Sequence, residues 1–86
     1  MKARLQDMMR KRIRVECYAG ARGEERPRRM TIDDREHIIA RLLGESLEES
    51  PMKRGRTRRF RVLTLEGLVL EIVRTADGDW FLEGIQ

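Results

Sequence analysis

The last thirty residues restrict the fold more than any other part of the chain, because two tight-turn signals separate three short apolar runs. Residues 60–65 and 68–75 flank Glu66-Gly67, and residues 80–85 follow Asp77-Gly78. An Asp-Gly pair between runs of alternating apolar residues is a strong signal for a β-hairpin. The sequence therefore predicts an antiparallel meander of three strands over residues 60–85.

A further strand is predicted over residues 12–18, where Ile13, Val15 and Cys17 alternate with other residues. A period of two is what a half-buried strand requires. A loop with two glycines follows, and Pro27 then begins a second extended piece. Proline lacks the amide hydrogen that a central ladder needs, so we expect Pro27 at a strand start or an edge.

Residues 31–43 fit two structures. As a helix, Thr31 would cap the first turn and apolar residues at helical spacing would share one face. As a hairpin, Asp33-Asp34 would form the turn between two strands. Composition slightly favours the helix, and periodicity leaves both open. Residues 44–57 lack a sustained pattern and contain two glycines and a proline, so they are predicted to form an exposed loop.

A chain of 86 residues has room for one domain with a modest core. We expect a basic lead-in over residues 1–11, frayed or forming a short helix, and a single β domain over residues 12–86. The fold class is all-β, an antiparallel meander or small half-open barrel of five or six strands. Association often stabilises a core this small, which makes a homodimer plausible. The predicted core residues are Ile13, Val15, Cys17, Ile39, Phe60, Val62, Leu68, Leu70, Ile72, Trp80 and Leu82.

Localisation is predicted from what the sequence lacks. Cys17 is the only cysteine, so no internal disulfide can form and nothing indicates an oxidising compartment. No apolar run approaches the ~20 residues of a membrane span. The basic first residues are not followed by the hydrophobic stretch of a secretory signal. We therefore expect a cytoplasmic protein without a membrane partner.

The net charge of +4 is unevenly distributed. Residues 1–14 carry six basic residues against one acidic residue, and residues 51–61 carry six against none. If these blocks lie side by side in the fold, they form one basic face suited to the phosphates of RNA or DNA; otherwise they are two solvated ends. The residues predicted to contact nucleic acid or another anion are Arg12, Arg14, Arg54, Arg56, Arg58 and Arg59.

The segment 24–29 joins two glutamates to three arginines and has two interpretations. The first is a set of surface ion pairs, each contributing about 0–1 kcal/mol to stability. The second is a site for an anion or an acidic partner, because arginine presents a planar fork to carboxylates. Neighbouring strand residues point to opposite faces, so at most one of Arg28 and Arg29 would face such a partner. The predicted partner-binding residues are Arg26, Arg28 and Arg29.

Catalytic and metal chemistry find little support in this composition. His37 is the only histidine and Cys17 the only thiol, so no pair of ligands has the spacing of a metal site. A nucleophile would depend on His37 alone as its base. We expect a protein that is not an enzyme and that holds no cofactor.

The segments RVECYAG, EERPRRM, DDREH, RFRVLTLEG and ADGDWFL together resemble a small family of bacterial cytosolic proteins of unknown function. In that family a strand with a Cys-Tyr pair leads through a glycine-rich loop into a Glu-Arg-Pro-Arg-Arg stretch. The resemblance covers about residues 12–83. It implies that residues 31–43 form a hairpin turning at Asp33-Asp34, and it implies no activity.

These observations predict a non-enzymatic binding module. Its expected ligand is RNA or DNA, contacted without sequence preference through the clustered arginines. The alternative is a protein–protein adaptor or a self-associating structural module, which would use the charged loop 22–29 or an open sheet edge.

Overall fold

The computed structural model describes residues 10–19, 25–49 and 55–86, and these residues form six strands and no helix. Each strand pairs antiparallel with the next, and the sixth pairs with the first to close a small barrel. The all-β prediction is therefore confirmed. Most of the predicted lead-in over residues 1–11, frayed or helical, lies outside the described residues, and its last residue, Lys11, belongs to the first strand. The strands are β1 (Lys11–Ala19), β2 (Glu25–Ile32), β3 (Arg35–Glu49), β4 (Arg56–Thr64), β5 (Val69–Arg74) and β6 (Trp80–Ile85).

Residues 31–43 form a hairpin and not the helix that composition slightly favoured. Asp33 and Asp34 make a two-residue turn with φ angles of 49° and 66°. Two consecutive positive φ angles are the signature of a type I′ turn, whose twist matches that of the flanking strands. The apolar residues after the turn therefore belong to β3, with Ile32 opposite Arg35 at its start.

The Asp33-Asp34 turn gives a simple test of this hairpin. Glycine adopts a positive φ without steric strain, whereas aspartate is somewhat strained there and a β-branched residue is strained more. We expect Asp34→Gly to raise the free energy of unfolding by about 0.5 kcal/mol and Asp34→Val to lower it by about 1–2 kcal/mol. Urea titration measures both variants. A glycine variant less stable than the parent protein would contradict the turn geometry.

The prediction of an exposed loop over residues 44–57 is wrong for residues 56 and 57, which begin β4, and for residues 44–49. This segment continues β3 and pairs with residues 56–61 of β4. Two register shifts, between Ile39 and Arg41 and between Leu42 and Gly44, interrupt the alternation of β3. A bulge of this kind changes which residues face inward, so the period-two pattern disappears from the sequence.

The barrel interior is filled largely by the predicted residues. Phe60 and Trp80 form its aromatic centre, with ring centroids 5.5 Å apart. Met30 is completely buried although it follows a run of arginines, and its burial was not predicted. Leu68 is 38% exposed, contrary to prediction, because it precedes β5 in the turn. The buried cluster consists of Ile13, Met30, Phe60, Val62, Leu70, Ile72, Trp80 and Leu82, with Val15, Cys17, Ile32, Ile39 and Leu42 packed against it.

The two ends of the barrel differ. At the turn end lie the β2–β3 and β4–β5 turns. Two side-chain contacts, Lys11–Asp33 and His37–Glu66, connect these turns to neighbouring strands. At the loop end lie the β5–β6 turn and the far ends of β1 to β4. Pairing between β1 and β6 covers residues 11–13, and pairing between β2 and β3 covers residues 29–32. The barrel is thus closed near the turn end, and two-stranded ribbons β1–β2 and β3–β4 extend toward the loop end.

Pro27 lies in the β1–β2 ribbon, beyond the residues of β2 that pair with β3. It stands opposite Cys17, next to a register shift between Glu16 and Cys17. No ladder hydrogen bond from a second neighbour is required at this position, which explains how a strand accommodates proline there. The expectation that Pro27 occupies an edge is confirmed.

Candidate functional site

The described parts of the two basic blocks, residues 10–14 and 55–61, do not lie on adjacent strands. In the order of the barrel, β1 lies next to β2 and β6, whereas β4 lies next to β3 and β5. Two strands therefore separate β1 from β4 in either direction around the barrel. Of the two arrangements that the sequence left open, these parts adopt the separate one, because closing a six-stranded meander places its first and fourth strands opposite each other.

Three of the arginines of β4, Arg56, Arg58 and Arg59, are held by glutamates of β3. Residues of opposite charge attract when they lie directly or diagonally opposite each other on neighbouring strands. The acidic end of β3 therefore pairs favourably with the basic start of β4. We call these six residues the charge ladder. Its pairs are Arg56 Nε–Glu49 Oε1 (2.9 Å), Arg58 Nη2–Glu45 Oε2 (2.5 Å) and Arg59 Nε–Glu48 Oε1 (3.2 Å).

Arg59 is the most constrained residue of the charge ladder. Its Nη1 also donates to Glu83 Oε1 of β6 at 2.6 Å, so one guanidinium joins three strands. Partial burial, which alone would lower the pKa of Arg59, is outweighed by hydrogen bonds and Coulomb attraction from Glu83 and Glu48, and the pKa is raised. Arg59 is therefore a fixed cation with a structural role.

A small apolar cluster lies beneath Arg59 on the outside of the barrel. Val73 is completely buried yet does not belong to the interior cluster. It stands in register between Arg59 and Phe81, and the Arg10 guanidinium covers the Phe81 ring at 4.3 Å from its centroid. Arg10 also reaches Glu83 at 3.6 Å. The aliphatic and planar parts of both arginines thus shield apolar surface from water.

The β1–β2 ribbon has the opposite character. Arg14, Arg26 and Arg28 are exposed and form no ion pair within the described residues. Arg12 lies two residues before Arg14, and its guanidinium contacts Asp79 at 2.9 Å while its side chain is 73% exposed. We call Arg12, Arg14, Arg26 and Arg28 the basic ribbon.

A bulge determines what the second strand of this ribbon exposes. Glu16 stands opposite Arg29 and Cys17 opposite Pro27, so Arg28 is an extra residue without a direct partner on β1. As a result Pro27 is buried, whereas Arg28 is exposed and Arg29 is partly exposed. Both arginines therefore carry some exposed surface, because the bulge suspends strict alternation at this point.

Arg29 differs from Arg28 because it forms ion pairs with two carboxylates. Its Nη1 lies 2.8 Å from Glu36 Oε1 of β3 and 3.5 Å from Glu16 Oε2 of β1. It therefore joins three strands, as Arg59 does elsewhere. Among the three predicted partner-binding residues, Arg26 and Arg28 remain available and Arg29 serves the fold.

A cleft of about 570 Å³ adjoins the basic ribbon. It runs between β1 and the β5–β6 turn, and its walls include Arg12, Arg14, Asp79 and Trp80. Arg56, Arg58 and Arg59 do not line this cleft and lie on β4, and Arg54 is outside the described residues. The predicted anion-binding residues are thus divided between the basic ribbon and the charge ladder.

Neither of the residues with reactive side chains joins the basic ribbon directly. His37 bonds to Glu66 at the turn end, away from the ribbon's arginines, and its side chain is 13% exposed. Cys17 is partly buried and packs against the interior cluster. Both occupy ordinary strand positions in the barrel.

Three residues that matter here were missed in the sequence: Glu45, Glu48 and Glu49. The available signal was an acidic run before the central loop and a basic run after it.

Within the described ranges, no helix is long and apolar enough to cross a membrane. The same residues contain no group of three or more acidic, histidine or cysteine side chains placed to hold a metal ion. Comparison with family models, curated proteins and solved structures finds no match to this chain.

Proposed function

We propose that this protein is a non-enzymatic binding module that contacts the phosphate backbone of single-stranded RNA or DNA, without sequence preference, through the basic ribbon. One observation carries the proposal. Four exposed arginines share a two-stranded ribbon at the loop end, and three of them form no ion pair within the described residues. Arg56, Arg58 and Arg59 of β4, by contrast, are already paired with glutamates.

The spacing within the basic ribbon suits a chain of phosphates. Arg12 and Arg14 alternate along β1, so they share a face and lie about 7 Å apart along the strand. Arg26 and Arg28 extend the positive charge onto β2 nearer the loop end, beside residues 16–18 of β1, so the four arginines form a diagonal track across the ribbon. Guanidinium groups bind phosphate oxygens through two parallel hydrogen bonds. A flexible single strand can follow such a surface with successive phosphates.

The described aromatic residues explain why we assign backbone contact and not base recognition. Phe60 and Trp80 are buried in the barrel, and Phe81 lies under Arg10. Proteins that bind single strands through their bases stack them on exposed rings. Without such a ring among the described side chains, the interaction that we assign is mainly electrostatic, so sequence preference is small and sensitivity to salt is large.

A fluorescence anisotropy titration with a labelled mixed-sequence single-stranded oligonucleotide tests the proposal. Each phosphate contact on a single strand contributes about −0.7 to the slope of log K against log salt, so four contacts give a slope of about −3. Affinity should then fall about 50-fold between 50 and 200 mM salt. Binding that is undetectable at 20 mM salt would refute the function.

The alternative function, a protein–protein adaptor or self-associating module, has one supporting observation. β1 beyond Ile13 has no described pairing with β6, so that strand edge is available to an added strand. Sedimentation of the purified protein, together with its ratio of absorbance at 260 and 280 nm, separates the two functions. A dimer free of nucleic acid that also ignores oligonucleotides would favour the alternative.

A further inference from the structure

The cleft beside the basic ribbon contains a carboxylate, which a surface that binds only phosphates does not need. The residues that line this cleft of about 570 Å³ are Arg12, Ile13, Arg14, Val15, Gly78, Asp79 and Trp80. We call it the β1 cleft. We propose that the β1 cleft holds a ribose of the bound strand and that Asp79 accepts a hydrogen bond from its 2′-hydroxyl, so that the protein prefers RNA to DNA. This inference rests on the proposed function, because the basic ribbon must first hold the strand.

The turn that positions Asp79 does not require its carboxylate. In the β5–β6 turn the Thr75 amide donates to the Asp79 carbonyl at 2.8 Å, and the Asp79 amide donates to Thr75 Oγ1 at 3.2 Å. Both hydrogen bonds use the backbone of Asp79, which almost any other residue type would supply equally well. The backbone is thus fixed before a ligand binds, and the carboxylate is left to interact with β1 and the cleft.

The contact between Asp79 and Arg12 gives the fold little stability. Asp79 Oδ1 accepts from Arg12 Nη2 at 2.9 Å, but the two side chains are 41% and 73% exposed. An ion pair this exposed contributes about 0–1 kcal/mol. A negative charge beside the basic ribbon also repels the phosphates that the arginines attract. The position of this carboxylate is therefore better explained by a hydrogen-bond donor on the ligand than by stability.

The pair of Arg12 and Asp79 matches both hydrogen-bonding functions of a ribose 2′-hydroxyl. A carboxylate has about four acceptor sites and a guanidinium has five N–H donors, of which the pair itself uses one each. A hydroxyl can therefore donate to Asp79 while it accepts from Arg12. Deoxyribose lacks this group, and the 2′-hydroxyl is what lets a protein distinguish RNA from DNA at a given site.

The spacing of the arginines places a sugar beside Asp79. Arg12 and Arg14 share a face of β1 about 7 Å apart, and both line the β1 cleft. When successive phosphates bind these two arginines, the ribose between them lies over the cleft. Ile13 and Trp80 stand opposite each other in register and are almost completely buried, so the base of the cleft is closed by packed side chains.

RNA and DNA oligonucleotides of the same mixed sequence test this inference by fluorescence anisotropy at constant salt. We expect the RNA to bind about tenfold more tightly, because it gains a hydrogen bond to a charged acceptor. A 2′-fluoro oligonucleotide keeps the phosphates but lacks the donor hydrogen. It should bind with an affinity within about threefold of that of DNA.

Asp79→Ala should reduce the ratio of RNA to DNA affinity to less than about twofold, because it removes the acceptor. The ratio is the criterion, since the loss of one negative charge raises the affinity for both strands alike. The matched control is Asp77→Ala, which removes the same charge from the same turn at an exposed residue outside the cleft lining. It should leave the ratio near that of the parent protein.

If Asp79→Ala fails to fold, Asp79→Asn replaces it and should lower the ratio to about threefold, since a neutral acceptor forms a weaker hydrogen bond. The inference is overturned by equal binding of RNA and DNA, by 2′-fluoro binding as tight as that of RNA, or by an unchanged ratio in the Asp79 variant. It is also overturned if Asp77→Ala lowers the ratio as much. Undetectable binding of both strands would refute the proposed function as well, so the two failures are distinguishable.

Discussion

Replacing Phe60 with alanine is expected to lower the free energy of unfolding by about 3–5 kcal/mol, the typical cost of removing a buried aromatic ring. Phe60 is completely buried, and its ring packs against Trp80 at the centre of the barrel. The substitution also removes the ring beneath the Arg58 guanidinium. A domain of this size is stable by only about 4–13 kcal/mol in total, so most of its stability margin would be lost.

Thermal and urea unfolding monitored by circular dichroism would measure the effect of Phe60→Ala. Leu65→Ala is the matched control, because Leu65 is apolar and belongs to the same part of the chain but is 68% exposed. It should change stability by less than about 0.5 kcal/mol. If Phe60→Ala were as mild as this control, Phe60 would not be a central element of the core.

The double variant Arg14→Gln/Arg28→Gln is expected to lose about tenfold or more in affinity for a single-stranded oligonucleotide at constant salt. Both arginines are exposed, and neither forms an ion pair within the described residues, so their removal leaves no carboxylate unpaired there. The slope of log K against log salt should become shallower by about 1.4, which corresponds to two lost phosphate contacts. Fluorescence anisotropy measures both quantities, and the stability of the variant should be nearly unchanged.

The control for this variant carries the same net charge. Arg41→Gln/Arg61→Gln removes two exposed arginines of the outer β3–β4 surface, which also form no ion pair within the described residues. It should retain the salt slope of the parent protein and lose less than about threefold in affinity. Equal losses in the two double variants would mean that net charge alone, and not the basic ribbon, attracts the oligonucleotide.

The sequence predicted the C-terminal half of the fold well because local signals there agree with the tertiary structure. The strands before and after Asp77-Gly78 have turn residues at the right spacing and a regular alternation of buried side chains. Gly67 and Gly78 both have positive φ angles, as the turn signals require. Phe60, Leu70 and Trp80 therefore entered the core as expected.

The first half was harder to predict because bulges and long-range charge pairing determine it. Register shifts in β3 hide its alternation, and the shift beside Cys17 buries Pro27 while exposing Arg28. The strand character of residues 44–49 depends on arginines that follow them in β4, which no local pattern reveals. For the same reason the sequence could identify every basic residue but could not show which of them form ion pairs with glutamates.

The central claim is that two groups of arginines have different roles: Arg56, Arg58 and Arg59 of β4 stabilise the barrel, and the basic ribbon is available to a polyanion. Amide NMR spectra recorded during titration with a single-stranded oligonucleotide that lacks a terminal phosphate test this claim most directly. We expect the largest shifts at Arg12, Arg14, Arg26 and Arg28, disappearing at high salt. Shifts confined to β3 and β4, with the β1–β2 amides unmoved, would contradict it.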